Sequence, residues 1–265
     1  MFIIAGSKNA SIKEKQIDAP IQKLWFSGNM LLAGLITSDN PMASIISQLD
    51  MAKLSIQKQT SNGNIPLLLP IGLGSIAEIC SNQEGHLNCM FTHQNGWLTF
   101  ECTVDLSASN AIDSGDGKFL LLSLDMAGSA IDKIEVYGLD LPIVGNGFTR
   151  YNQLKVNANT QKSINVVGKD VIALPRTGFS QIDIVFPNRT VTYKKDIKAI
   201  CQAIENVVAN YVTRLNDYAG ETPVSVYAQT YFDGVNYYTI GVQDAIEVRV
   251  LYTADTTVIT TEETV

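Results

Sequence analysis

Charge is scarce in this chain. Only 17% of its 265 residues are Asp, Glu, Lys or Arg, against about 25% in an average soluble protein, which excludes a coiled coil and an acidic disordered protein. Bases are the scarcer sign. Nineteen of them face 26 acids, a net charge of −7, the wrong balance for a protein that coats a polyanion. Two histidines in all leave most metal and general-base chemistry without residues. Cysteines stand only at 80, 89, 102 and 201, too few for a disulfide scaffold of this length, and a cytoplasm would hold them reduced. Long apolar runs are missing too. The longest, 65–73, is broken by Pro70 and Gly72 and falls short of the ~20 residues that span a bilayer. Met1–Ala5 has no basic flank, so the expectation is a soluble chain made in a cytoplasm without a secretory leader. What the sequence does have is a 46% hydrophobic content and length enough for one large domain or two modest ones.

Alternation of apolar and polar residues dominates. Runs 87–92 and 97–106 flank Asn95-Gly96, the dipeptide of a two-residue hairpin turn. Such a turn would set Phe91 against Phe100, Cys89 against Cys102 and Leu87 against Val104 on one apolar face. Further turn signals are Asp116-Gly117, Pro187-Asn188 and Asp233-Gly234. Helices are few. One starts at Asp39-Asn40-Pro41 and runs to about Asp50. A second opens on Ser75-Ile76-Ala77-Glu78, which has capping-box spacing, and ends near Asn82. A third runs from Asp196 to about Leu215, with Ile197, Ile200, Cys201, Ile204 and Val208 at helical spacing.

The two halves echo one another. Ile76-x-x-Ile79-Cys80 recurs as Ile197-x-x-Ile200-Cys201, and in each half a long strand, another strand and an Ile-Glu-Val segment (134–136, 246–248) follow. The seam falls in the turn-rich stretch 141–147, leading to a new strand near Gln153. About eight strands in each half predict an all-β, mainly antiparallel fold with a few short helices: two tandem eight-stranded jelly rolls, 1–144 and 145–265, the second with a polar Thr-rich tail. In this tandem order, and in its helix-then-strands cassettes at 75–139 and 196–252, the chain resembles the double jelly-roll major capsid proteins of tailless bacteriophages with an internal membrane. The resemblance implies a non-enzymatic coat protein of the virion, made in the host cytoplasm. Homotrimers would form pseudo-hexagonal capsomers of an icosahedral shell. Partners would be neighbouring trimers, other capsid proteins and a lipid membrane on the inner face, with no direct nucleic acid contact and no cofactor.

Candidate sites are weighed against packing. Cys80, His86, Cys89, His93 and Cys102 gather the residue types that ligate zinc, although no C-x-x-C knuckle occurs and cysteines also pack as small hydrophobes. A Cys89–Cys102 bridge is a further option in an oxidised particle. Gly72-x-Gly74-x-x-Ala77 after an apolar run mimics a dinucleotide-binding turn, but the next segments form an antiparallel hairpin. Asp113 and Asp116 could offer oxygens to calcium without completing a calcium-binding loop. No G-x-S-x-G elbow accompanies the two histidines. Asn188-Arg189-Thr190 has the spacing of a glycan acceptor and reads as a turn. The stretch 255–265 reads either as a fraying tail or as an arm that adds a strand to a neighbouring subunit. The alternative function is a spike, adhesin or carbohydrate-binding sandwich using Tyr231, Phe232, Tyr237 and Tyr238. A zinc enzyme of cupin-like fold would rest on His86 and His93 alone.

Overall fold

The computed structural model describes residues 1–7, 10–31, 46–84, 87–92, 97–108, 110–114, 117–139, 143–194, 197, 225–230 and 236–264. Ten strands fall in the first half: β1 (Phe2–Ser7), β2 (Ile12–Ile17), β3 (Lys23–Leu31), β4 (Lys53–Thr60), β5 (Gly63–Gly72), β6 (Leu87–Thr92), β7 (Trp97–Asp105), β8 (Ala111–Ile112), β9 (Phe119–Asp125) and β10 (Ile131–Leu139). After β11 (Val144–Gly145) come β12 (Phe148–Val156), β13 (Lys162–Asn165), β14 (Val171–Pro175), β15 (Phe179–Phe186), β16 (Arg189–Tyr193), β17 (Ser225–Thr230), β18 (Tyr237–Gly241), β19 (Glu247–Tyr252) and β20 (Thr256–Thr264). One helix, Leu73–Glu84, follows β5. Among the described residues no helix is long and apolar enough to cross a membrane.

Period-two burial drives the sheets. Leu120, Leu122 and Leu124 of β9 point inward against Leu54 and Ile56 of β4, while Lys53, Ser55, Ser123 and Asp125 face out. The strand order is the same twice over. In the first half β1-β10-β3-β7 faces β2-β9-β4-β5, and in the second β12-β20-β14-β18 faces β13-β19-β15-β16. With β6, β8, β11 and β17 set aside and the remaining eight strands of each half numbered in chain order, one sheet reads 1-8-3-6 and the other 2-7-4-5. That order is the double Greek key of a jelly roll, so the chain is a double jelly roll.

Both sheets of the first barrel continue across the seam. Strand β5 meets β12 in parallel at Leu68 and Tyr151, which fuses two four-stranded sheets into one of eight. On the other side β17, from the second half of the chain, pairs with β6 and extends the first barrel's sheet to six strands. The larger core likewise takes in Phe148, Tyr151, Ala173 and Ile259 from the second half, whereas among the described residues the smaller core draws only on those from Val156 onward.

Several expectations are met in place. Pro187-Asn188 closes a two-residue hairpin with Phe186 opposite Arg189. Both Ile76 and Ile197 lie in the connection between fifth and sixth strands. Others shift. The β6–β7 register is two residues off the expected one: Thr92 opposes Trp97 and Cys89 opposes Phe100, because four residues separate the strands instead of two. Cys102 instead opposes Phe26 of β3. The repeated Ile-Glu-Val segments are not equivalent, since Ile134 lies in the eighth strand of its barrel and Glu247 opens the seventh. Nor does 225–230 build the second barrel. The Thr-rich stretch is neither tail nor arm: β20 lies between β12 and β14, with Val258 to Thr261 buried, because β-branched threonines suit a central strand. Of the first expected helix the described part is 46–49, with Ile46 and Leu49 buried. The expected helix 196–215 and the Asp233-Gly234 turn lie outside the described residues, apart from the buried Ile197.

Candidate functional site

The most concentrated polar chemistry lies at the seam between the barrels. It begins with Asp50, at the end of the helical turn 46–49. Its Oδ1 accepts the Ser75 N–H at 2.6 Å and its Oδ2 accepts the Ser75 hydroxyl at 2.8 Å. The helix is therefore capped from outside, and Ser75 is its third residue. The capping box read from Ser75 and Glu78 does not form. The approach is close enough that a Cβ on Gly72 would run into the Asp50 carboxylate, and one on Gly74 into the Ile46 carbonyl. This also settles the Gly72-x-Gly74 resemblance to a nucleotide turn: β5 pairs antiparallel with β4, and the chain's own carboxylate sits where a phosphate would. Burial raises the Asp50 pKa above its ordinary value, with the Ser75 bonds opposing.

Glu78 is released from the cap and turned inward, wholly buried. Its Oε1 accepts the backbone N–H groups of Asn236 and Tyr237, at 2.7 and 2.9 Å, from the second barrel. Its Oε2 has no partner among the described residues. Burial pushes the Glu78 carboxyl up to about 7; the Asn236 and Tyr237 donors oppose this and the Asp50 charge adds to it. The Tyr237 hydroxyl donates to Ser75 Oγ at 3.2 Å, completing a chain from Tyr237 through Ser75 to Asp50. Burial, then the charges of Asp50 and Glu78, raise the Tyr237 pKa.

A second carboxylate reaches the other way. Glu263 of β20 accepts the Ser107 hydroxyl at 3.0 Å and the Ala108 N–H at 3.3 Å from the first barrel, and its other oxygen takes the Thr149 hydroxyl at 2.8 Å. At the same seam, the Tyr151 hydroxyl donates to the Asp105 carbonyl at 2.8 Å and lies 3.4 Å from Cys80 Sγ. Lys58, 4% exposed, stands 5.4 Å from the Phe148 ring centroid. Burial lowers its pKa, and Asp113 is the opposing charge. A buried carboxyl such as Glu78 can exchange a proton, and that couples the barrel contact to pH.

The candidates read from the sequence fall only in part on described residues. Cys80 and Cys102 are buried, Cys89 lies opposite Phe100, and His86 and His93 lie outside the described residues. Among the described residues no three His, Cys, Asp or Glu gather in a metal-binding arrangement. Asp113 pairs with Lys118 at 2.8 Å, and Asp116 lies outside the described residues. The proposed sugar platform is not an exposed aromatic surface at its described residues. Tyr237 is bound into the seam, and Tyr238 packs edge-on against Phe179 at 5.4 Å with the Arg176 guanidinium over its ring. Tyr231 and Phe232 lie outside the described residues. Sequence reasoning missed Glu263, read as part of a tail, and took Glu78 for a cap.

The strand order and seam define a two-barrel protein of the double jelly-roll class. No family model and no curated protein matches the chain. Among solved structures it is similar to the major capsid protein P2 from bacteriophage PM2, over 99% of this chain and 93% of that one, at 12% identity and a TM-score of 0.41. The fold assignment rests on the strand order, not on that likeness.

Proposed function

We propose that this chain is a viral major capsid protein, dividing at 144/145 into two barrels that act as one rigid building block. The observation that carries the reading is the repetition of the 1-8-3-6 and 2-7-4-5 order in two barrels that share a sheet and a core. Jelly rolls serve widely as coat modules. Two fused barrels give each subunit two similar lateral faces, so three copies present six and form a pseudo-hexagonal capsomer for an icosahedral shell. Low charge suits surfaces that repeat weak polar contacts with copies of themselves. The partners are further trimers, other coat proteins and an internal lipid membrane, and the protein resides in the virion after synthesis in the host cytoplasm. The net charge of −7 argues against direct contact with the genome, and the work is done by shape, without a catalytic step. Native mass measurement with negative-stain imaging tests this. A trimer with a pseudo-hexagonal outline is expected, and a strict monomer at high concentration overturns it.

A further inference from the structure

The outer face of the first barrel's β2-β9-β4-β5 sheet holds a groove of about 760 Å³. Its floor follows from strand pairing. Lys53 stands opposite Asp125 and Ser55 opposite Ser123 across β4 and β9, all four on the solvent side. Beside them β2 bulges between Ile12 and Lys15, and within the bulge Glu14 holds a φ of 45°, the left-handed region that costs a residue with a side chain. The Glu14 N–H donates to Ser123 Oγ at 2.9 Å, so the bulge is pinned to the groove and the Ser123 O–H remains available to donate. At the other end Asp125 Oδ1 accepts the Ser11 hydroxyl at 3.1 Å and the Ala127 N–H at 3.0 Å. Those donors, Ala127 first, hold the Asp125 carboxyl below its ordinary range, and its Oδ2 has no bond among the described residues. Lys13 and Lys53 both line the groove, and neither forms an ion pair among the described residues.

Protection of a sheet edge explains part of this. Strand β2 is the outermost of its sheet, and bulges and lysines on edges resist unwanted pairing. That accounts for Lys13 and the bulge. It does not account for Lys53, which sits on an interior strand directly across from Asp125 and makes no ion pair with it, its charge being felt instead by Asp50. Two lysines and two serines from three strands line this one groove, a donor set that suits a tetrahedral oxyanion. A planar carboxylate is better served by a guanidinium fork.

We propose that this groove binds a phosphate ester, with the phosphate held by Lys13, Lys53, Ser55 and Ser123 and with a donor group of the same ligand, ammonium or hydroxyl, held by Asp125. The test is calorimetric titration of the whole protein with O-phosphoethanolamine, inorganic phosphate and sulfate, joined by flotation with phosphatidylethanolamine vesicles to separate a free ester from a lipid headgroup. O-phosphoethanolamine is expected to saturate one site about tenfold more tightly than inorganic phosphate. Lys13→Met with Lys53→Met should weaken it at least tenfold, Lys155→Met on the second barrel should leave it unchanged, and Asp125→Asn should erase its advantage over inorganic phosphate. Vesicle binding lost in the double variant assigns the lipid source, and binding of the soluble ester without vesicle binding assigns the free one. Binding unaltered in the double variant, sulfate bound as tightly as O-phosphoethanolamine, or no binding of ester or vesicles overturns the proposal. The lysines are exposed, and an unchanged near-UV spectrum confirms that the double variant folds. Neither result bears on the capsid reading, which stands on oligomer shape.

Discussion

The two barrels share a strand order but not a way of being held. The first has a core completed by side chains from the other half of the chain, Phe148 and Tyr151 among them. Among the described residues, the second closes its core with its own, around Tyr252, Val248 and Val250. The first is thus dependent and the second self-sufficient, although their topologies are identical. Topology alone does not determine which residues a barrel needs. The polar contacts cross in both directions: Glu78 leaves the first barrel to hold the start of β18, and Glu263 leaves the second to hold Ser107 and Ala108.

The comparison can be broken most forcefully at Tyr151. Tyr151→Ala removes an aromatic ring from the shared core and should cost ~3–5 kcal/mol. Hydrogen exchange should then quicken in strands of both barrels, whereas Tyr252→Ala, of similar cost, should quicken exchange in the second barrel alone. Equal patterns for the two variants would erase the asymmetry. Next comes Glu78. A carboxyl whose pKa rises on folding, from 4.5 to about 7, binds more protons folded than unfolded between those values. Its contribution is therefore full below about pH 4.5 and is lost as pH rises to 7, by ~3 kcal/mol at most. Denaturant midpoints across that range should fall for the native chain. They should stay flatter for Glu78→Gln, which keeps an acceptor for both N–H groups without a charge; parallel profiles would remove Glu78 from the account. Glu263→Ala should cost ~1–3 kcal/mol by leaving the buried Ser107 hydroxyl without its acceptor, measured by urea unfolding. Tyr237→Phe, which removes only the hydroxyl bonded to Ser75, should cost ~0.5–1.5 kcal/mol. The smallest effect is expected at Arg249, which pairs with Glu247 on the half-exposed face of the same strand. Arg249→Ala should leave the thermal midpoint where it was.

Strand content and the tandem plan were legible because burial with period two leaves its mark on every strand, as in 119–125 and 247–252. Register was harder. Asn95-Gly96 signals a turn, but the paired strands stop at Thr92 and Trp97, and a shift of two keeps every side chain on its expected face. The capping reading failed for a similar reason. Ser75 and Glu78 have the right spacing, yet Asp50, 25 positions earlier, displaces Glu78 from that role. No local pattern reveals that two backbone N–H groups at 236 and 237 await the freed carboxylate. The Thr-rich 256–264 misled because its composition resembles that of solvated tails, although its β-branching is what a central strand needs. The seam carboxylates belong to contacts 158 and 156 positions apart, a separation that periodicity cannot report.

The parallel meeting of β5 and β12 bears on how the chain comes off the ribosome. Strand β12 is made long before β20, its partner along its whole length, and until then one edge of it lies open. Its other neighbour, β5, belongs to a barrel whose strands have by then all been synthesised. The earlier half therefore offers the nascent second half one anchoring point, Leu68 against Tyr151, and in return receives Phe148 and Tyr151 into its own core before β20 is made.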